Sequence, residues 1–223
     1  LKLKAAITLI LLFASLLGTG QVKNDGELWT GTTIKFDINK RFRLDASYQY
    51  RSDFGPFQKK QSFGQIGLRF KVAKWFLIRP SYRLTRMPDF NDDSDRFALD
   101  FILRGKYSDW KFKYRFRTQY HTAVNQVDRA LMFRSKVTAA YNLSKKIDPV
   151  VSWEMFSPIE TGASQRIKLG VDWRLKKSIH LNIFYGLEKQ MNRKFNDNTH
   201  IFGLLVGINT GIKKKKEWSE EIE

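Results

Sequence analysis

No cysteine occurs in the 223 residues, which excludes disulfide cross-links, thiolate metal sites and a cysteine nucleophile. Acidic residues are scarce: 22 Asp and Glu stand against 40 Lys and Arg, for a formal net charge of +18. There are 5 prolines and 3 histidines, so few strand breakers and few proton-transfer groups are available. Beyond residue 20 no apolar run reaches the roughly 20 residues of a spanning helix, and beyond Glu27 helical periodicity is nearly absent.

The charge itself points to an anionic partner: phospholipid, lipopolysaccharide or nucleic acid. Nucleic acid fits poorly, because the basic residues alternate with apolar ones instead of clustering on a helix or loop. No nucleic-acid partner is therefore expected. Aromatic residues make up 14 % of the chain. That is high for a soluble basic protein and ordinary for a membrane barrel with interfacial girdles.

The first twenty residues read as an export signal. Lys2 and Lys4 precede an apolar core over 5–17, and Gly18 and Gly20 are small residues before a cut that leaves Gln21 first. The competing reading, a signal anchor, needs a longer apolar run. The expected organisation is a signal peptide over 1–20, a barrel over 21–212 and a charged tail over 213–223. That tail opens on four lysines, carries Trp218 and ends in acidic residues.

Period-two alternation from Glu27 onward divides the chain into eleven expected strands: 28–38, 42–51, 63–72, 76–85, 96–107, 110–120, 129–141, 147–156, 165–175, 179–189 and 199–210. Short turns (39–41, 73–75, 108–109, 142–146, 176–178) alternate strictly with longer connections (52–62, 86–95, 121–128, 157–164, 190–198). This is the pattern of an all-β, antiparallel, up-and-down transmembrane β-barrel of ten to twelve strands, with short periplasmic turns and longer extracellular loops.

One face of the strands is apolar: Ile34, Phe36, Ile38, then Phe42, Leu44, Ala46, Tyr48 and Tyr50, with Phe76, Ile78, Tyr82 and Leu84 further on. Two aromatic belts mark the strand ends. Phe36, Phe42, Phe76, Tyr107, Trp110, Tyr141 and Trp173 lie near short turns; Tyr50, Tyr82, Phe97, Tyr120 and Trp153 lie near long loops. A lipocalin-like soluble barrel would bury the apolar face instead. The belts, the strand lengths and the glycines on the polar face (Gly31, Gly67, Gly170, Gly186, Gly203, Gly207) favour a crowded polar interior. Two features strain this picture. Barrels with both termini in the periplasm need an even strand count, so eleven implies a split or missed strand, or a segment 21–27 threaded through the lumen. Pro80 and Pro149 in mid-strand each remove a ladder hydrogen bond, so bulges are expected there.

The short turns fix register. Pairing Ile38 with Phe42 sets Asp37 opposite Arg43 and Lys35 opposite Asp45. Pairing Tyr107 with Trp110 sets Asp100 opposite Arg117, Tyr141 with Ile147 sets Arg134 opposite Glu154, and Leu175 with Ile179 sets Arg166 opposite Glu188. These are expected as structural ion pairs, worth roughly 0.2–1 kcal/mol each. The same registers leave like charges opposed on strands three to six: Arg69 with Arg79, Arg104 with Lys113, Lys106 with Lys111, while Arg83 faces Gln65 and Arg115 faces Ile102. Arg69, Arg79, Arg83, Arg104, Lys113 and Arg115 thus form a basic wall and the candidate anion site, unless water or distant acids neutralise it.

Other chemistry is weakly signalled. Asp89, Asn91, Asp93 and Asp95 have the spacing of a calcium loop without its central glycine, so a solvated acidic loop is the plainer reading and no metal is expected. His121, His180 and His200 form no Ser–His–acid pattern, so no catalytic residue and no enzyme activity are expected. No cofactor is expected either. The expected function is a narrow, partly ion-paired basic lumen acting as a small anion-biased pore. The alternative is a non-transporting accessory barrel that contacts lipid, lipopolysaccharide or a protein partner through its outer wall or tail.

Leu28, Trp29 and Thr30 early in the first strand, the Asn-Lys-Arg turn at 39–41, and the segments 44–51, 80–83, 114–117 and 151–156 resemble a gram-negative outer-membrane family catalogued as a domain of unknown function. The resemblance implies a small outer-membrane barrel and carries no activity or catalytic residues. The charged tail after Thr210 departs from the usual barrel ending.

Overall fold

The computed structural model describes residues 24–54, 58–88, 93–123, 129–159, 162–191 and 198–211. The export-signal and tail segments lie outside the described residues, as do Asp89 and Asn91 of the acidic loop.

Eleven strands follow in order: β1 (Asn24–Asp37), β2 (Phe42–Asp53), β3 (Lys59–Lys71), β4 (Phe76–Arg86), β5 (Ser94–Tyr107), β6 (Trp110–Ala123), β7 (Arg129–Tyr141), β8 (Ile147–Pro158), β9 (Ser164–Lys176), β10 (Ile179–Gln190) and β11 (Asn198–Gly211). Each pairs with its sequence neighbours, and β1 pairs with β11 to close the barrel. Most strands run past the expected bounds at their long-loop ends, where alternation is hardest to read.

Closure explains the odd count. β1 and β11 run parallel, in register from Asn24↔Asn198 to Asp37↔Gly211, while every other pair is antiparallel. The expectation of an even number is overturned: no strand is split, and the stretch from Asn24 to Glu27 belongs to β1 instead of threading the lumen. An odd strand count makes the two closing strands point the same way. β1 therefore begins at the long-loop end, and β11 finishes at the short-turn end.

Local chemistry fixes the short turns. Asn39 Oδ1 accepts from the Arg41 and Phe42 amides at 2.8 and 2.9 Å, a side-chain mimic of a backbone turn. Ser108 takes a positive φ of 52° in the two-residue turn between Tyr107 and Trp110. At the next short turn Ser144 Oγ accepts from the Ile147 amide at 3.1 Å. There the register differs from expectation: Lys136, not Arg134, faces Glu154, and Arg134 faces Phe156. The Ser144 turn tightens the loop, and the ladder stops at Val150 beside Pro149, which has no amide proton to donate. A two-residue offset keeps every side chain on its face.

The prolines cause no bulge. Around Pro80 the β3–β4 ladder lapses between Gly67↔Ser81 and Phe70↔Ile78 and resumes in the same register. Pro149 keeps its place opposite Val171. The register shifts lie instead at Arg51/Ser52 and Ile179/His180.

The two faces separate by polarity. Ile34, Tyr48, Ile66, Phe97, Ile183 and Phe202 are exposed on the outside, while Asp45, Arg79, Asp100, Arg117, Glu154 and Arg166 are buried inside. A lipocalin-like arrangement, with the apolar face inward, is excluded by this placement. Aromatic contacts gather at both ends: Phe42 on Phe70 and Trp110 on Tyr141 near short turns, Tyr82 on Phe97 and Tyr185 on Phe202 near long loops. Trp153, like Tyr82 and Tyr185, lies nearer the middle of its strand than its end.

Candidate functional site

The inward positions of all eleven strands form one charged interior. Near the short-turn end Arg43 bonds Asp37 through both nitrogens of its fork, as their direct opposition requires. On the other wall Asp148 accepts from Arg174 at 3.0 Å and from Lys111 at 3.5 Å. Lys113, facing Arg104 and Thr138 in register, is exposed on the inner face, so water reaches this part of the lumen.

Deeper in, the ion pairs tighten. Arg79 bonds Asp45 on β2 and reaches Asp100 on β5 at 3.2 Å. Asp100 also accepts from Arg117 at 2.5 and 2.8 Å. Glu154 gathers Arg115 at 2.5 Å and Arg134 at 2.7 Å, with Arg166 at 3.9 Å. Arg166 in turn bonds Glu188. Gly67 makes room for this layer: a Cβ there would sit 2.7 Å from the Arg79 guanidinium. Buried charges of this kind hold only when each has a partner, and bidentate arginine forks supply the geometry.

Two expectations change here. Arg79 and Arg115 are not unneutralised: acids one and two strands away hold them. Lys35 does stand opposite Asp45, yet the Asp45 carboxylate is taken by Arg79. Arg134 and Glu154 meet diagonally, despite the shifted register, because the arginine stem spans the two-residue offset. Of the remaining wall, Arg104 turns to the rim and donates to the Lys74 carbonyl at 2.8 Å. Arg69 keeps a buried Nε that has no hydrogen-bond partner among the described residues, and Arg83 donates to Gln65 at 2.9 Å.

Towards the long loops, inward aromatic rings lie against cations. The Arg83 guanidinium lies 3.5 Å from the Phe63 ring centre and that of Arg51 3.7 Å from the Trp29 ring. Across the seam, Lys168 lies 4.2 Å from Trp29 and 4.0 Å from Phe184, while Arg134 and Arg166 lie 4.4 and 4.7 Å from Phe156. Arg166 also reaches Trp29, three strands away around the barrel, at 4.8 Å. Trp29 Nε1 donates to Glu27 at 2.6 Å. Desolvated cation–π contacts contribute about 2 kcal/mol or more. They let arginine and lysine pack against these rings without a carboxylate for each.

Sequence reasoning missed these inward aromatics, and Arg96 beside them. The signal was present: Phe63 shares parity with Gln65 and Arg69, Phe156 with Glu154, and Trp29 faces Arg51 in register.

The three histidines sit apart. His121 contacts Gln119 at 2.7 Å inside, His180 contacts Asn209 at 2.8 Å, and His200 contacts the Tyr185 hydroxyl at 2.7 Å. Asp93 accepts from Arg86 at 2.8 Å and from the Met87 amide at 3.0 Å. A concavity of roughly 620 Å³ lies away from the charge, on the outer wall between Ile66, Tyr82, Phe97 and Tyr120.

Residues 26–201 match a family model described as a protein of unknown function, DUF2490, and the chain belongs to that family. No curated protein matches it.

Proposed function

We propose that this DUF2490 member is an integral outer-membrane barrel that does not conduct, with a basic vestibule open at its short-turn end and a lumen shut towards its long loops. The observation that carries the reading is the inversion of polarity, with large apolar side chains outside and paired charges inside. In water such a surface would expose an apolar area far beyond what soluble proteins tolerate. In a bilayer it is the required arrangement, since closure satisfies every strand edge. Strands of 11 to 14 residues meet or exceed the roughly 9–11 needed to cross. The partners in this reading are outer-membrane lipid and lipopolysaccharide.

A second reading, an anion-biased pore, is favoured by the surplus of inward cations. The aromatic–cation layer favours the closed form over it.

The membrane placement is tested with single-tryptophan variants refolded into vesicles whose acyl chains carry bromine, a contact quencher. Trp153, 43 % exposed on the outer face, is expected to be quenched; Trp29, 3 % exposed inside, is not. Quenching of Trp29 with Trp153 spared would overturn the reading.

A further inference from the structure

Arg83 and Arg96 face each other directly across β4 and β5, and opposed like charges destabilise a sheet unless something negative lies between them. Their shared partner is neutral. Gln65 Oε1 accepts from Arg83 Nε at 2.9 Å and from Arg96 Nη2 at 3.2 Å. Arg96 is only 6 % exposed, and its Nε is buried with no hydrogen-bond partner among the described residues.

Among the described residues the surroundings do not supply the missing charge. Phe63 offers Arg83 a ring face, and His121 is the residue opposite Arg96 on β6. Gln119 contacts His121 and accepts from Arg134 at 3.3 Å. Asp93 is engaged by Arg86, and alternation turns Asp95 to the other face of β5. Arg79, Arg117, Arg134 and Arg166, by contrast, each meet a carboxylate.

We propose that Arg83 and Arg96 form a binding site for a small phosphate-type oxyanion, with Gln65 holding the two guanidiniums in place. Each planar fork can present two N–H groups to such an anion, and the unpartnered Arg96 Nε is one of them. A carboxylate built into the wall would fill the position permanently; a neutral amide leaves it for a ligand. Arg96 is the third residue of β5, so the site lies just inside the long-loop mouth. The proposal rests on the inward orientation of these strands and not on where the barrel resides. It can therefore be tested in detergent, separately from the lipid-quenching result.

The experiment is calorimetric titration of the full-length barrel, refolded in a neutral detergent, with inorganic phosphate, against sodium chloride at matched ionic strength. Saturable phosphate binding is expected. Arg83→Gln and Arg96→Gln should each weaken it by about tenfold or more, the loss of one charge-assisted contact, and Arg174→Gln should not. If the glutamine variants fail to refold, Arg96→Lys keeps the charge, loses the planar fork and should still weaken binding. Displacement of phosphate by glycerol phosphate would assign the site to free solutes; displacement by short-chain phosphatidic acid alone would assign it to a lipid headgroup. Absence of saturable phosphate binding beyond the chloride control, or wild-type affinity in folded Arg83→Gln, Arg96→Gln or Arg96→Lys protein, would overturn the proposal.

Discussion

Arg117 holds Asp100 with two hydrogen bonds, at 2.5 and 2.8 Å, and Asp100 is only 1 % exposed. Arg79 reaches the same carboxylate from the next strand while also bonding Asp45, so two buried guanidiniums share Asp100. Asp100→Ala is expected to cost about 3–5 kcal/mol, the usual penalty for stranding a buried charge. Chemical denaturation of the refolded barrel measures it. The double variant Asp100→Leu with Arg117→Leu should lose less than the sum of the two single changes, because it strands fewer charges. A strictly additive result would mean the two residues do not act as a pair.

Phe184 fills the space that Gly203 leaves empty. A Cβ on Gly203 would sit 2.0 Å from the Phe184 ring, beside the seam where Trp29, Phe184 and Ile201 pack together. Gly203→Val should destabilise by about 1–3 kcal/mol through overpacking, and Phe184→Ala should recover part of that loss. Thermal unfolding of the two singles and the double checks this coupling.

The parallel seam makes a topological prediction, and the absence of native cysteine makes it easy to test. Asp25 stands at the start of β1, on the side of the long-loop residue Ile159, whereas Asp109 sits in a short turn at the opposite end. Single cysteines at positions 25 and 159 should react with an impermeant thiol reagent from one face of a vesicle, and a cysteine at 109 from the other. Labelling of 25 and 109 from the same face would mean that β1 pairs antiparallel to β11.

The fold was legible because alternation and turn residues are local signals. The eleven strands, and the Asp37–Arg43, Asp100–Arg117 and Arg166–Glu188 oppositions, all follow from period two and short turns. Contacts that skip a strand were not legible. Arg79 with Asp45 and Arg115 with Glu154 lie two strands apart, so hairpin register alone could not reveal that these two members of the basic wall are neutralised. Closure was hidden for a related reason: pairing between the first and last strands leaves no turn in the sequence. The Arg83–Arg96 opposition was missed because β5 begins two residues earlier than alternation suggested, which placed Arg96 at a strand end.

Planar-bilayer conductance tests most directly the proposal that the aromatic–cation layer shuts the lumen. The wild-type barrel is predicted to show no steady current. The triple variant Trp29→Ala, Phe63→Ala, Phe156→Ala should open a channel that prefers chloride over potassium, because the inward cations remain. Steady conductance by the wild-type barrel, or a cation-preferring channel in the triple variant, would contradict it.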